Sequence, residues 1–140
     1  MKVLDKKLLN KNCVVTPHKE EFEILFGEKA TKEEAVKSAK KYGCTVVLKG
    51  IEDFVTDGTR LKINRTGNAG MTKGGTGDVF AGLIAALACK NDLFLAACAG
   101  VFINGLAGDR LKEKVSYYYN ASDLVKEIPK TIKLQGKRRS

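Results

Sequence analysis

The chain has 140 residues, of which 44% are hydrophobic; this is enough to bury an ordinary core, so we expect one soluble domain of average size. Its net charge of +9 comes from the two ends, because residues 13–132 carry 17 basic against 15 acidic side chains, and a nucleic-acid partner is therefore not expected. No apolar stretch reaches the roughly 18 residues of a membrane span, and the first seven residues lack the apolar segment of a signal peptide. These features predict a cytoplasmic protein without a membrane partner.

The first part of the sequence predicts two short strands and a helix. Apolar runs at 3–5 and 13–16 end in polar or proline-bearing turns, which is typical of buried strands in a parallel sheet. Pro17 ends the second run. The apolar spacing that follows predicts a helix over 18–26, closed by Gly27.

A strand-helix-strand unit is predicted next. Thr31 and Glu34 have the spacing of a capping box, and the helix that they open ends at Gly43. A β-rich run follows at 44–48. A crossover of this kind produces parallel strands covered by helices.

The remaining elements are a hairpin and three helices. The hairpin is predicted over 54–64, around an Asp-Gly pair. Two alanine-rich helices over 79–89 and 93–111 are apolar on nearly all sides, which predicts that both are buried. The last helix is capped by Asn120 or Ser122.

The C-terminal end of the chain is expected to be a tail. The last helix is predicted to end before Pro129. Residues 131–140 are rich in lysine and arginine, and we expect them to form a basic, flexible tail outside a domain that spans 1–130.

The cysteines do not form a metal or disulfide pattern. No CxxC pair occurs, and His18 is the only histidine in the chain. We predict that the four cysteines are small buried hydrophobic residues: Cys13, Cys44, Cys89 and Cys98.

A glycine-rich segment at 67–78 is the strongest functional signal. It has five glycines in twelve positions and leads directly into the helix predicted from 79. Unpaired N–H groups at a helix start, with the positive end of the helix dipole, form an anion site, and the carboxylate of Asp78 lies where the anion arrives. This combination predicts phosphoryl transfer. Neither the GxxxxGK[ST] loop nor the GxGxxG spacing is present.

Four motifs in this order resemble the NAD(P)H-hydrate dehydratases of the ribokinase-like superfamily. They are Val15-Thr16-Pro17-His18 with Glu21, Leu48-Lys49-Gly50, the segment from Gly67 to Asp78, and Gly105-Leu106-Ala107-Gly108-Asp109. The resemblance implies an α/β fold with a doubly wound, mostly parallel sheet and helices on both faces. Because the family domain is about twice this size, the chain corresponds to its C-terminal half.

The resemblance also implies a repair reaction. Such an enzyme uses ADP or ATP with Mg²⁺ to phosphorylate the misplaced ring hydroxyl of hydrated NADH or NADPH, and loss of phosphate restores the dihydronicotinamide. In this chemistry the protein supplies mainly positioning and electrostatic stabilisation. A half-length chain further implies a homo-oligomer or a complementary N-terminal half as partner, since uncovered sheet edges and helix faces aggregate.

Specific residues carry over from the family motifs. Asp78 corresponds to the base that accepts the hydroxyl proton, and it also contacts the substrate together with His18. Glu21 corresponds to an acidic residue that acts through magnesium-bound water. The expected anion hole consists of Gly75, Thr76 and Gly77. The expected nucleotide contacts are Lys49, Gly50, Ile51, Glu52, Asp53, Asn68 and Gly77.

Each of these residues also has an ordinary structural interpretation. Asp78 and Glu21 are in positions where any helix favours a carboxylate. His18 has the position of a helix cap, and Asn68 that of a turn residue. Lys49 is also typical of a solvated strand end.

The sequence departs from the family at several positions, and other functions stay open. Glu20 replaces a usual glycine, Ala69 a usual proline and Asn104 a common histidine, and the segment after Gly50 is bulkier and more acidic than usual. One alternative is a kinase that phosphorylates a small-molecule alcohol and stops there. Another is a nucleotide-binding module or partner subunit without catalysis.

Overall fold

A four-stranded sheet lies between two groups of helices in the computed structural model, which describes residues 4–138. In chain order the elements are β1 (Val14–Val15), α1 (Lys19–Phe26), α2 (Lys32–Tyr42), β2 (Thr45–Leu48), β3 (Asp53–Thr56), β4 (Leu61–Asn64), α3 (Thr76–Ala88), α4 (Leu93–Val115) and α5 (Ala121–Lys137). Short 3-10 turns occur at Lys6–Leu8 and Ala69–Thr72.

The sheet is mixed, with strand order β1-β2-β3-β4. The predicted crossover joins β1 and β2, which are parallel, and the predicted hairpin joins β3 and β4, which are antiparallel. Because β2 also pairs antiparallel with β3, residues 4–138 do not have the mostly parallel sheet that we expected. The strand expected over 3–5 is also absent from residues 4 and 5: Asp5 instead caps the first 3-10 turn, and Val3 lies outside the described residues.

Local sequence signals set the ends of α1 and α2. Gly27 and Gly43 end these helices in the left-handed conformation, with φ of 73° and 63°. Thr31 caps α2 by accepting the N–H of Glu34 at 3.2 Å. The Glu34 carboxylate lies 2.6 Å from Lys37 Nζ, so only the threonine half of the predicted capping box forms.

Alternating residues of β2 divide the core between the two faces of the sheet. Val46 and Leu48 pack with Phe22 and Phe26 of α1 and with the small residues of α2. Val47 packs on the opposite face, in a cluster with residues of α3 and α4: Phe80, Ile84, Phe94, Ala97 and Val101. β2 is therefore buried on both faces of the sheet.

The two alanine-rich helices differ in their surroundings. α4 is a core helix, as predicted, and ten of its residues are buried. It nevertheless contains an 18-residue window that is apolar enough to cross a membrane by length and composition, so the prediction that no segment reaches that length is wrong. α3 is buried at Phe80 and Ile84 but exposes Ala81, Gly82, Ala85 and Ala86, which contradicts the prediction of a fully buried helix.

The cysteines are less uniformly buried than predicted. Cys44 is buried, and desolvation raises the pKa of its thiol to about 11. Cys13 and Cys98 are half-buried. Cys89 at the end of α3 is exposed, and for this residue the prediction is wrong.

The last helix continues through Pro129 to Lys137, although we predicted that it ends before the proline. A proline removes one helical hydrogen bond, but packing against α4 outweighs that loss here. Leu124, Glu127 and Thr131 are all buried along α5. Residues 131–137 of the expected tail therefore lie in this helix. The domain boundary at 130 stays a prediction.

The buried carboxylate of Glu127 joins α5 to α4. It lies 2.8 Å from Arg110 Nε and 2.9 Å from Lys114 Nζ. Burial raises the pKa of Glu127, but the hydrogen bonds and charges of Lys114 and Arg110 outweigh this effect and hold it below the ordinary value of 4.5. The ionised form is therefore the one that stabilises the folded chain.

We expect Glu127→Gln to lower the free energy of unfolding at pH 7 by about 1–2 kcal/mol, because the two cations are partly exposed and screened by solvent. A lowered pKa stabilises the fold above the unfolded pKa, so the difference from the native chain should shrink as the pH falls below about 4. Urea unfolding at several pH values measures this. Glu113→Gln, at an exposed site on α4, is the control. A pH-independent difference would contradict the ionic interpretation.

Candidate functional site

Three of the sequence motifs meet at one edge of the sheet. The N–H of Lys49, directly after β2, donates to the carbonyl of Pro17, after β1, at 2.9 Å. A Cβ built on Gly77, in the first turn of α3, would lie 3.9 Å from Lys49 Nζ. The carboxyl ends of parallel strands and the start of a helix form the usual ligand edge of an α/β sheet. Lys49 is therefore next to the predicted anion site.

The start of α3 is open and has no side-chain cap. Gly75 precedes the helix at φ 86°, and both Gly77 and Asp78 are exposed. The first N–H groups of a helix have no partner within the helix, so these residues present donors to solvent. The acid of Asp78 lies at the same open turn. The start of α3 is therefore open to solvent, and its role as a phosphate site stays a prediction.

Thr76 differs from its neighbours, because it is used to hold the loop. Its buried hydroxyl lies within hydrogen-bond distance of the carbonyls of Met71 and Lys73, at 2.6 and 2.7 Å. Its N–H donates to the Lys73 carbonyl at 3.3 Å. Of the three predicted anion-hole residues, Thr76 thus has an N–H that is bonded within the loop. The roles of Gly75, Thr76 and Gly77 in anion binding stay predictions.

The loop after Lys49 is held by Asp53. This carboxylate accepts the N–H of Gly50 at 3.2 Å and the side-chain amide of Asn64 at 3.0 Å. Burial raises the pKa of Asp53, and the Asn64 amide, the Gly50 N–H and the charge of Lys49 act in the opposite direction. Asp53 thus shapes the loop from within, so its predicted contact with a nucleotide would need this pairing to change.

The other two residues of this loop are on the surface. Ile51 is fully exposed, and the Glu52 carboxylate pairs with Arg65 Nε at 2.6 Å. The bulkier segment that departs from the family is therefore displayed to solvent at the edge of the site. Whether these residues contact a nucleotide stays a prediction.

The glycine-rich segment is fastened to α4 by Asp109, whose role sequence reasoning missed. One oxygen of Asp109 accepts the N–H of Gly67 at 3.0 Å, and the other accepts the side-chain amide of Asn68 at 2.9 Å. The Asn68 oxygen in turn accepts the N–H of Gly70 and the hydroxyl of Tyr119. The side chain of Asn68, predicted to contact nucleotide, is thus bonded within the protein.

Glycines of α4 let the segment approach closely. A Cβ on Gly105 would lie 2.1 Å from Thr66 Oγ1, and one on Gly108 would lie 2.4 Å from Met71 Sδ. The Gly-Leu-Ala-Gly-Asp motif therefore forms the seat for the glycine-rich segment. Lys73 adds a further fastening, since its ammonium group donates to the carbonyls of Tyr117 and Tyr119.

His18 and Glu21 form the N-terminal cap of α1. The Glu21 carboxylate accepts the N–H of His18 at 2.9 Å, and the Glu21 N–H lies 3.4 Å from His18 Nδ1. The same Nδ1 is 2.8 Å from the Glu20 carboxylate, and this shorter contact requires a proton on Nδ1. A backbone hydrogen bond and the imidazole both lower the pKa of Glu20. The His18 side chain is half-exposed.

Protein side chains alone do not form a metal site here. Among residues 4–138, no group of three or more histidine, cysteine, aspartate or glutamate side chains could hold a metal ion. Mg²⁺ usually combines one or two carboxylates with phosphate oxygens and water. Glu21 does not fit as a direct ligand, because one of its oxygens accepts the His18 N–H and the other lies 3.4 Å from His18 Nε2.

Two further features lie apart from these contacts. The side-chain oxygen of Asn104, a position where the sequence departs from the family, is buried without a hydrogen-bond partner in the described part of the chain. A small cavity between α1 and α2 is lined by residues such as Phe26 and Tyr42, and none of its lining residues belongs to the four motifs. The candidate site is therefore the open edge at Lys49 and α3.

Fold and site together define a ribokinase-like α/β protein. The structure is similar to that of a ribokinase-like superfamily protein from Enterococcus faecalis, with a TM-score of 0.80 and 30% identity over 89% of this chain and 45% of that chain. The model of the NAD(P)H-hydrate dehydratase family matches residues 1–130. The chain belongs to this family. The family and the ribokinase-like fold predicted from the four motifs are thus confirmed.

Individual relatives are considerably longer. The bifunctional NAD(P)H-hydrate repair enzyme Nnr of Archaeoglobus fulgidus is 52% identical over 130 residues, which are 93% of this chain and 27% of the relative. The ADP/ATP-dependent NAD(P)H-hydrate dehydratase from Bacillus subtilis, co-crystallised with ATP and Mg²⁺, has a TM-score of 0.79 and 26% identity over 86% of this chain and 47% of that chain. The chain spans about a quarter of the first relative and half of the second.

We expect Gly105→Ala to destabilise the fold by about 1–3 kcal/mol, because the new methyl group would overlap Thr66 and displace the glycine-rich segment. Gly136→Ala is the matched control: nothing lies within 4 Å of its built Cβ at an exposed position of α5. In a helix that change should stabilise by about 0.5–1 kcal/mol. Urea unfolding of both variants measures the contrast. Equal effects would refute the close approach at Gly105.

Proposed function

We propose that this chain carries the nucleotide-binding and phosphoryl-transfer part of an ADP- or ATP-dependent NAD(P)H-hydrate dehydratase. The observation that supports this most directly is the uncapped, exposed start of α3 with Lys49 beside it. Exposed amides and an ammonium group next to a helix N-terminus bind phosphate. The family to which the chain belongs supplies the reaction class.

In the proposed reaction the phosphoryl group is transferred from the nucleotide to the ring hydroxyl oxygen of hydrated NADH or NADPH. The amides near Gly77 and the ammonium group of Lys49 stabilise the phosphoryl oxygens. Asp78 accepts the proton that the hydroxyl loses. The C–O bond then breaks, so that phosphate departs with that oxygen, and the adjacent ring carbon loses a proton to solvent to give the ring double bond. Magnesium would accompany the nucleotide phosphates, and no step here depends on it.

His18 is proposed as the substrate contact at this edge. It follows Pro17, whose carbonyl accepts the N–H of Lys49, so position 18 lies at the same edge of the sheet as Lys49. Half of its side chain is exposed. An imidazole can stack on or donate to a dinucleotide without disturbing the α1 backbone.

Two other functions are distinguished by their products. A small-molecule kinase would leave a stable phosphate ester, whereas a dehydratase returns the absorbance of dihydronicotinamide. A binding module without catalysis would bind the nucleotide and release no product. Calorimetric titration with ADP, ATP and AMP, followed by a turnover assay on hydrated NADH, separates the three.

We expect Asp78→Asn to lower turnover by about 10²–10⁴-fold, because the variant lacks the proton acceptor. The Kd for ADP and ATP should change by less than about threefold or tighten, since a carboxylate repels phosphate. Calorimetry and the absorbance assay measure both quantities. Glu33→Gln, which removes an exposed first-turn carboxylate from α2, is the control. A large loss of affinity in Asp78→Asn with normal turnover would contradict the assignment.

We also propose that a second copy of the chain or a complementary N-terminal half covers the exposed apolar face of α3. That face consists of small residues, which allow close packing: Ala81, Gly82, Ala85 and Ala86. The site would then receive its remaining dinucleotide contacts from the partner. Relatives that are longer than this chain are consistent with such a cover.

We expect the purified chain to sediment above its monomer mass of 15.2 kDa, because an apolar helix face is otherwise left in water. Ala85→Glu, at the centre of the face, should shift the population to monomer. Lys90→Glu, exposed beyond the end of α3, is the control and should not. Analytical ultracentrifugation over a range of concentrations decides the question. A native chain that is monomeric throughout would contradict self-association.

A further inference from the structure

Asp109 bonds to two successive residues at the start of the glycine-rich segment. Its Oδ2 accepts the N–H of Gly67 at 3.0 Å and its Oδ1 accepts Nδ2 of Asn68 at 2.9 Å. Gly67 has φ of 108°, a conformation that other residues rarely adopt. The carboxylate therefore fixes an unusual turn at the point where the chain leaves the sheet and begins the segment.

Asn68 passes this constraint further along the loop. Because its Nδ2 donates to Asp109, its Oδ1 must face the opposite way, where it accepts the N–H of Gly70 at 3.0 Å and the hydroxyl of Tyr119 at 2.6 Å. The orientation of the amide is thus set by the charge of Asp109. The turn Ala69–Thr72 begins on this bond.

The same segment ends at the anion site. The Met71 carbonyl lies 2.6 Å from the hydroxyl of Thr76, the first residue of α3. A continuous series of short contacts thus connects Asp109 with the helix start that carries Gly77 and Asp78. Displacing Gly67 or Gly70 would displace the first turn of α3 as well.

We propose that Asp109 is a positioning residue for phosphoryl transfer, which holds the glycine-rich segment so that the first amides of α3 face the phosphate. This inference rests on the proposed function. It assigns to the last motif of the family resemblance a role in the site rather than in helix packing alone. Asp109 itself does not contact the reacting atoms.

A neutral amide at position 109 cannot satisfy these donors. If its oxygen accepts the Gly67 N–H, its NH₂ group faces Nδ2 of Asn68, which is also a donor. Turning Asn68 around relieves that conflict but aims its own NH₂ group at the N–H of Gly70. Asp109→Asn therefore breaks the series in either orientation. The exchanged pair, Asp109→Asn with Asn68→Asp, provides an acceptor for every donor again.

The experiment compares Asp109→Asn, Asn68→Asp and the exchanged pair with the native chain, and Glu113→Gln is the charge-matched control on α4. Hydrogen exchange of the amides at 67–75 reports the loop, and unfolding in urea reports the whole fold. In Asp109→Asn we expect exchange of this segment to rise about tenfold, as the loss of one such hydrogen bond requires. The exchanged pair should recover most of the protection. Asn68→Asp alone should also exchange faster than the native chain, because its new carboxylate faces the carboxylate of Asp109.

Kinetics test the consequence for the site. With nucleotide and hydrated NADH, Asp109→Asn should lower kcat by about 10- to 100-fold and change the nucleotide KM much less, because misplaced amides affect the transition state most. Unchanged exchange in Asp109→Asn, or no recovery in the exchanged pair, would overturn the inference whatever the activity. An inactive native chain with normal exchange behaviour would instead count against the proposed function alone.

Discussion

The hydrogen bonds between the Asp109 carboxylate and the glycine-rich segment are the constraint on which the rest of the site depends. A helix start that binds an anion must leave its first amides unpaired. A side-chain cap at that turn would occupy these amides, so other contacts must hold the helix start in place. α3 has no side-chain cap, and the hydrogen bonds that hold its start are made by the preceding residues 67–76. The close approach at Gly105 and Gly108 supplies the packing that makes this possible.

The electrostatics of the site follow from the same arrangement. One cation, Lys49, and one anion, Asp78, lie at the open edge, while the other carboxylates nearby are bonded to protein groups. Asp53 and Asp109 each accept two donors, and Glu52 pairs with Arg65. These contacts hold the three carboxylates in place, and the positive end of α3 is the end of the helix that attracts an anion.

Sequence predicted what depends on neighbours in the chain and missed what depends on distant ones. The ends of α1 and α2 followed from glycines that adopt positive φ. The proximity of Lys49 to Gly77 was implied only by the family resemblance, which assigns both residues to the nucleotide. The extension of α5 beyond Pro129 depends on α4, so no local signal shows it. The bonds of Asn68 to Asp109 and Tyr119 span more than 40 residues, and only the glycine motif before Asp109 hinted at them.

The exposed face of α3 is suited to packing against another element close to the candidate site. A helix with alanine and glycine on its outer face gains little from water contact and is suited to close packing against another element. The inner face already packs on α4, and the site residues Gly77 and Asp78 lie at the exposed end of the same helix. A partner that covers Ala81 and Ala85 would therefore also approach the anion site, exclude water from it and strengthen its electrostatic interactions. If such a partner binds, covering the helix and completing the site would be one and the same packing event.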